Sequence, residues 1–82
     1  MKVTVRKKDE ATEVTISTEY IKLQDAMKLA NVVYSGGEAK QFILDGGVEV
    51  NGEVCTMRGK KLRPGDSFRF NGQSYRITHA AE

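Results

Sequence analysis

The chain has almost none of the residues that cross-link a fold or hold a metal. Its 82 residues include one cysteine, Cys55, and one histidine, His79. A lone cysteine cannot form an internal disulfide, and the pair supplies too few ligands for a structural zinc site. The sequence therefore indicates a cytosolic protein, for which we expect neither a metal nor another cofactor.

Long apolar runs are missing as well. No stretch approaches the roughly 20 apolar residues that cross a bilayer, and residues 1–8 lack the apolar run of a signal peptide. We expect no secretion and no membrane partner. Because a domain this short buries only a thin core, little room remains for an enclosed active site.

The sequence also lacks recognisable sets of catalytic residues. Cys55 has no histidine nearby in sequence, and Gly36-Gly37 lacks the spacing and the preceding strand of a nucleotide-binding loop. The chain ends in Ala80-Ala81-Glu82, not in the Gly-Gly that carrier chemistry needs. These features predict a protein that is not an enzyme and has no small-molecule substrate.

Basic charge is concentrated in one quarter of the chain. Residues 57–76 hold six basic side chains against Asp66 alone, a net charge of +5, whereas the whole chain carries +2. A patch of this kind attracts phosphate and speeds association with polyanions. Nucleic acid is therefore a candidate partner.

The first elements follow from hydrophobic periodicity. Val3 and Val5 alternate with polar residues, as do Val14 and Ile16, which predicts an N-terminal strand pair joined by a turn over 7–10. The i, i+4, i+7 spacing of Leu23, Met27 and Ala30 then predicts a short helix, and Asn31 can end it in the left-handed conformation.

A second helix follows directly. Ser35 and Glu38 form a predicted capping box, in which the Glu38 side chain reaches back to the cap. Ala39, Phe42 and Ile43 would be buried, and Gly46 would end the helix.

Two Asn-Gly pairs then predict type I′ hairpins, at Asn51-Gly52 and Asn71-Gly72. A two-residue loop at Asn51-Gly52 places Val54 on the face opposite Val50. Either the loop is longer or Cys55 takes the inner position. Between the hairpins, Arg63-Pro64-Gly65-Asp66 predicts a type II turn.

The predicted order is β-β-α-α-β-β-β-β, an α+β fold in a single domain. Its parts are an N-terminal strand pair over 1–19, the helices and first hairpins over 20–70, and a final strand and tail over 71–82.

These motifs resemble the RNA-binding domain named after ribosomal small-subunit protein four, the alpha-L motif. The resemblance runs from about Lys22 to Phe70 and is carried by the two short helices, by Gly46-x-Val48-x-Val50-Asn51-Gly52, and by Pro64-Gly65-Asp66. Ser35-Gly36-Gly37-x-Ala39-Lys40 and Arg58-Gly59-x-Lys61-Leu62 are similar to a small stand-alone bacterial subgroup.

The resemblance implies binding of structured RNA, ribosomal or otherwise folded, by basic side chains on the helix pair and the following loop. In the family an arginine commonly follows the capping serine, whereas this chain has Gly36. The exposed amides of Gly36 and Gly37 at a helix start are the predicted substitute, since such ends bind anions. The predicted RNA-binding residues are Lys22, Lys28, Gly36, Gly37, Lys40, Arg58, Lys60, Lys61 and Arg63, with Lys22, Lys40, Lys60, Lys61 and Arg63 as the main patch.

Tyr20 and Tyr34 flank the first helix and could belong either to the core or to a base-stacking surface. The alternative function is a protein-interaction module that docks on a larger assembly, such as the ribosome or the replication machinery. RNA binding should weaken steeply with salt, which separates the two functions.

Overall fold

A computed structural model describes residues 11–80 of the chain and has the expected α+β fold. The predicted strand at Val3–Val5 and the turn over 7–10 lie outside these residues. In chain order the elements are β1 (Thr12–Ile16), β2 (Ile21–Lys22), α1 (Leu23–Leu29), α2 (Gly36–Leu44), β3 (Val48–Val50), β4 (Glu53–Val54), β5 (Lys61–Leu62), β6 (Ser67–Phe70) and β7 (Gln73–His79). No helix in this range is long and apolar enough to cross a membrane.

Five strands form the main sheet in the order β1-β7-β6-β3-β4. β1 runs parallel to β7, with Val14 opposite Ile77, and the other neighbours are antiparallel. Both helices contribute to the single core, which lies on one face of this sheet. The buried residues are Val14, Ile16, Leu23, Ala26, Met27, Val33, Ala39, Ile43, Val48, Val50, Leu62, Phe68, Tyr75 and Ile77.

Both predicted Asn-Gly hairpins are confirmed. Asn51 and Gly52 have φ of 52° and 89°, and Asn71 and Gly72 have 56° and 82°, the positive values of a type I′ turn. Because the first loop has only two residues, Val54 lies opposite Glu49 on the outer face and is 61% exposed. The half-buried Cys55 packs against the core in its place.

The predicted helix ends are confirmed with one correction. Asn31 follows α1 with φ of 64°, and Gly46 follows α2 with φ of 81°. At the start of α2, the Ser35 hydroxyl accepts from the Glu38 amide at 3.2 Å. The Glu38 carboxylate, however, accepts from the amide of Tyr34 at 2.6 Å, one residue before the cap that the capping box predicts. The Glu38 side chain therefore still fixes the backbone that leads into α2.

A second, two-stranded sheet was not predicted. β2 pairs antiparallel with β5, with Ile21 opposite Leu62 and Lys22 opposite Lys61. Strands of two residues are too short to show an alternation in sequence, so residues 58–63 were expected to form only a loop. We call this pair the ribbon.

Candidate nucleic-acid interface

One side of the ribbon packs against the core, and the other side faces the solvent. Leu62 is fully buried and Ile21 is half-buried against the core. Since alternate residues of a strand point to opposite sides, Lys22, Lys61 and Arg63 lie on the outer side and are exposed. The Tyr20 ring is on the same side, because the Lys61 Nζ lies 4.9 Å from its centroid. We call Tyr20, Lys22, Lys61 and Arg63 the ribbon face.

Like charges face each other on the ribbon face. Lys22 and Lys61 are direct partners in the register, an arrangement that costs roughly 0.2–1 kcal/mol of stability relative to a neutral pair. Within residues 11–80 the ion pair that forms joins Lys28 to Asp25, so neither the two ribbon lysines nor Arg63 forms an ion pair in this part of the chain. Stability of the ribbon does not explain this arrangement.

The loop before β5 is fixed to the start of α1 by its backbone. The Leu23 amide donates to the Lys60 carbonyl at 2.8 Å, and the Gln24 amide donates to the Arg58 carbonyl at 3.1 Å. These bonds satisfy the first amides of α1, at a position where Lys22 provides no side-chain cap. Arg58 and Lys60 are therefore held beside Lys22 on a rigid backbone.

A turn with a carboxylate clasp positions the other end of the ribbon. Gly65 has φ of 100° and the Asp66 amide donates to the Arg63 carbonyl at 2.8 Å, which confirms the type II turn. The Asp66 carboxylate accepts from the Arg63 amide at 2.8 Å and from the Asn51 side-chain amide at 3.3 Å. Asn51 in turn accepts from the Ser67 amide at 3.1 Å. The motifs Asn-Gly and Pro-Gly-Asp thus meet, and together they fix Arg63 relative to the main sheet.

Comparison with known proteins agrees with the α+β fold. A family model described as S4 domain matches residues 14–78, well over half of the chain. The chain belongs to the S4 domain family. The resemblance inferred from the sequence motifs is therefore confirmed.

The chain is similar to two further proteins, one by sequence and one by fold. The probable ribosome maturation protein RlbA of Bacillus subtilis is 44% identical over 62 residues, which cover 76% of this chain and 87% of RlbA. The crystal structure of 30S ribosomal protein S4e from Thermoplasma acidophilum has a TM-score of 0.56 at 23% identity. That match covers 73% of this chain but 32% of S4e, so it shows a shared fold within a longer protein.

The S4 domain brings five of the predicted RNA-binding residues together at the ribbon and its loop. These are Lys22, Arg58, Lys60, Lys61 and Arg63. The other four lie on the helix pair. Lys28 is in the last turn of α1, where it is paired with Asp25 at 3.4 Å. Lys40 is exposed on α2, and Gly36 and Gly37 form its first turn. Within residues 11–80 no hydrogen bond or ion pair joins these four to the ribbon face.

The two glycines at the start of α2 are not required by crowding in this S4 domain. A Cβ at Gly36 would meet no atom within 4 Å, and one at Gly37 would meet only the Ser35 hydroxyl at 3.9 Å. Neither has a positive φ. Their small size therefore leaves open space above the first turn of α2.

Tyr20 lies next to the ribbon cations Lys61 and Arg63. Its sequence position alone does not decide between the core and the surface. It is half-buried, with the Arg63 Cζ 5.8 Å from its ring centroid. The signal in the sequence is weak: Tyr20-Ile21-Lys22 and Lys61-Leu62-Arg63 each place one apolar residue between two that point outward. Only the pairing of the two segments identifies them as one surface.

Proposed function

We propose that this chain binds folded RNA, without catalysis, through the ribbon face together with Arg58 and Lys60. The observation that supports it most strongly is the pairing of Lys22 with Lys61, since like charges placed opposite each other weaken a sheet and suit a polyanion. Four further features strengthen this proposal: the cations are exposed, they form no ion pair within residues 11–80, the backbone of the loop is held by hydrogen bonds, and the Asp66 carboxylate holds the turn after β5.

The RNA class that we propose is ribosomal RNA. RlbA, which matches most of this chain, is described as a probable ribosome maturation protein, and S4e is a component of the 30S subunit. A role in ribosome assembly would bring the S4 domain to ribosomal RNA that is already partly folded.

The mode of recognition is by shape and backbone. Double-helical RNA offers phosphates and 2′-hydroxyls more readily than base edges, and lysines on a rigid surface match that chemistry. Lys28, Lys40, Gly36 and Gly37 would contribute from the helix pair, where the Gly36 and Gly37 amides could approach a phosphate closely.

The test is binding of the purified protein to a ribosomal RNA hairpin across a salt series, with duplex DNA of the same length as a control. We expect RNA to be preferred and affinity to fall steeply with salt. Replacing Lys60 and Lys61 with alanine should lower the salt slope by up to about 2. The matched control replaces Arg69 and Arg76, which lie on the outer face of the main sheet, and should leave the slope nearly unchanged.

Absence of RNA binding at low salt would contradict the proposal, as would equal effects of the two double variants. A second candidate, docking on a protein, would then take its place. One observation favours it: Val54 and Met57, near the β4 edge, are 61% and 63% exposed. Such binding should withstand salt and should weaken when Val54 and Met57 are made polar.

A further inference from the structure

Tyr20 differs from the other tyrosines of the chain in its surroundings. Tyr75 is buried and stacks on Phe68 at 4.9 Å between centroids. Tyr34 is 97% exposed and has no cation near its ring among the described residues. Tyr20 alone is half-buried at the edge of a cationic surface, with Lys61 and Arg63 both within 6 Å of its ring centroid.

The backbone holds Tyr20 in place from both sides. The Thr18 hydroxyl donates to the Tyr20 carbonyl at 2.8 Å, and the next residue, Ile21, is paired with Leu62. A tyrosine side chain has only two rotatable angles, so on a backbone held in this way it loses little conformational freedom when a ligand stacks on its ring. The ring is therefore a suitable platform for a flat group.

A depression of about 500 Å³ opens beside the ring. It is open to solvent and is lined by Thr18, Glu19, Tyr20, Ile21, Lys22 and Asp25. Its wall carries charges of both signs, Lys22 with Glu19 and Asp25, and the Asp25 carboxylate is paired with Lys28. Lys61 and Arg63 lie at the ring and are cations without an ion-pair partner within residues 11–80. A ligand that matches this surface has an anionic end toward Lys61 and Arg63 and a neutral, flat part on the ring.

We propose that Tyr20, Lys61 and Arg63 form a site for one unpaired nucleotide of the bound RNA. Because Lys61 and Arg63 already lie over the Tyr20 ring, the nucleobase stacks on the ring from the side of the depression, which neither of them lines. Lys61 and Arg63 contact the phosphate of that nucleotide. Stacking on an aromatic ring accepts any base, because every base has a π-face. This inference rests on the proposed function and narrows it: the RNA combines a helix, for the lysines, with a bulged or terminal unpaired nucleotide.

The experiment uses two RNA hairpins that differ only in one bulged 2-aminopurine nucleotide. We expect the wild-type protein to bind the bulged hairpin about tenfold more tightly, within the range that one base stacked on an aromatic residue provides. The 2-aminopurine fluorescence should be quenched at saturation. Y20F should keep the preference and the quenching, whereas Y20L should bind both hairpins with similar affinity and without quenching. Y34L is the matched control and should behave like the wild type.

The outcomes separate this inference from the proposed function. Salt-dependent binding of both hairpins with equal affinity and without quenching overturns the nucleotide site and leaves RNA binding intact. Quenching that persists in Y20L places the base elsewhere and also overturns the site. If neither hairpin binds at low salt, the proposed function fails and the nucleotide site fails with it.

Discussion

The ribbon and the main sheet arrange their exposed charges in opposite ways. On the outer face of the main sheet, Arg69 lies opposite Glu49 and Arg76 lies opposite Glu13. On the ribbon, Lys22 lies opposite Lys61. Opposite charges across a strand pair stabilise a sheet, and like charges weaken it by a comparable amount.

The comparison explains the basic quarter of the sequence. Its six basic side chains belong to two surfaces: Arg69 and Arg76 are matched with acids on the main sheet, and the other four lie at the ribbon and its loop. A count of charges along the sequence does not distinguish the main-sheet arginines from the basic residues of the ribbon and its loop. The register separates the two arginines that lie opposite acidic residues from Lys61, which lies opposite another lysine.

The largest expected effect comes from reversing one charge in each region. K61E sets a carboxylate opposite Lys22, so the free energy of unfolding should not fall, yet RNA affinity should drop by at least about tenfold at low salt. R69E sets a carboxylate opposite Glu49, so stability should fall by about 0.5 kcal/mol while RNA affinity changes little. Urea unfolding measures the stability of each variant, and RNA titration measures the RNA affinity of each variant.

Because the two variants change net charge equally, each is the control for the other. Equal losses of RNA affinity would mean that only net charge matters. A large loss of stability in K61E would mean that Lys61 belongs to the fold, and either result removes the distinction between the regions.

The next effect concerns the clasp that joins the two regions. D66A removes the acceptor of the Arg63 amide and of the Asn51 side chain, which should cost about 1–2 kcal/mol of stability. It should also weaken RNA binding several-fold, because Arg63 is no longer fixed. D45A removes a charge from the exposed end of α2 and leaves the clasp intact, so it should lower neither the free energy of unfolding nor the RNA affinity. If D66A binds RNA as D45A does, the clasp serves stability alone.

The smallest effect concerns the helix pair. G36A and G37A place a methyl group in open space at the start of a helix, so each should raise stability by about 0.4–1 kcal/mol. If the α2 amides approach a phosphate, RNA affinity should fall at the same time. The exposed Q41A in the same helix is the control for both measurements. Unchanged affinity in G36A and G37A would confine the interface to the ribbon and its loop.

The sequence was sufficient for most of the fold. Asn31, Gly46 and the two Asn-Gly pairs specify helix ends and turns locally, so the elements between them could be predicted. The parallel pairing of β1 with β7 could not be predicted in this way, because it joins residues that are more than 60 positions apart in the sequence.

The site was predictable by residue type but not by arrangement. The basic residues were visible, yet nothing local brings Lys22 to Lys61 or Tyr20 to Arg63. Those contacts depend on a strand pair of two residues on each side, which has no periodicity of its own. Arg69 and Arg76 belong to the basic quarter of the sequence but not to the predicted RNA-binding residues, and the register places them opposite Glu49 and Glu13.

The most direct test of the account is a map of RNA contacts by NMR, for which a 9.1 kDa chain is well suited. Amide shifts of the labelled protein would be followed while a ribosomal RNA hairpin is added, once at low salt and once at high salt. The account predicts large, salt-sensitive shifts at residues 20–23 and 58–63 and small shifts at Arg69, Ser74 and Arg76 on the outer face of the main sheet. Shifts centred on that outer face, with the ribbon unperturbed, would contradict it.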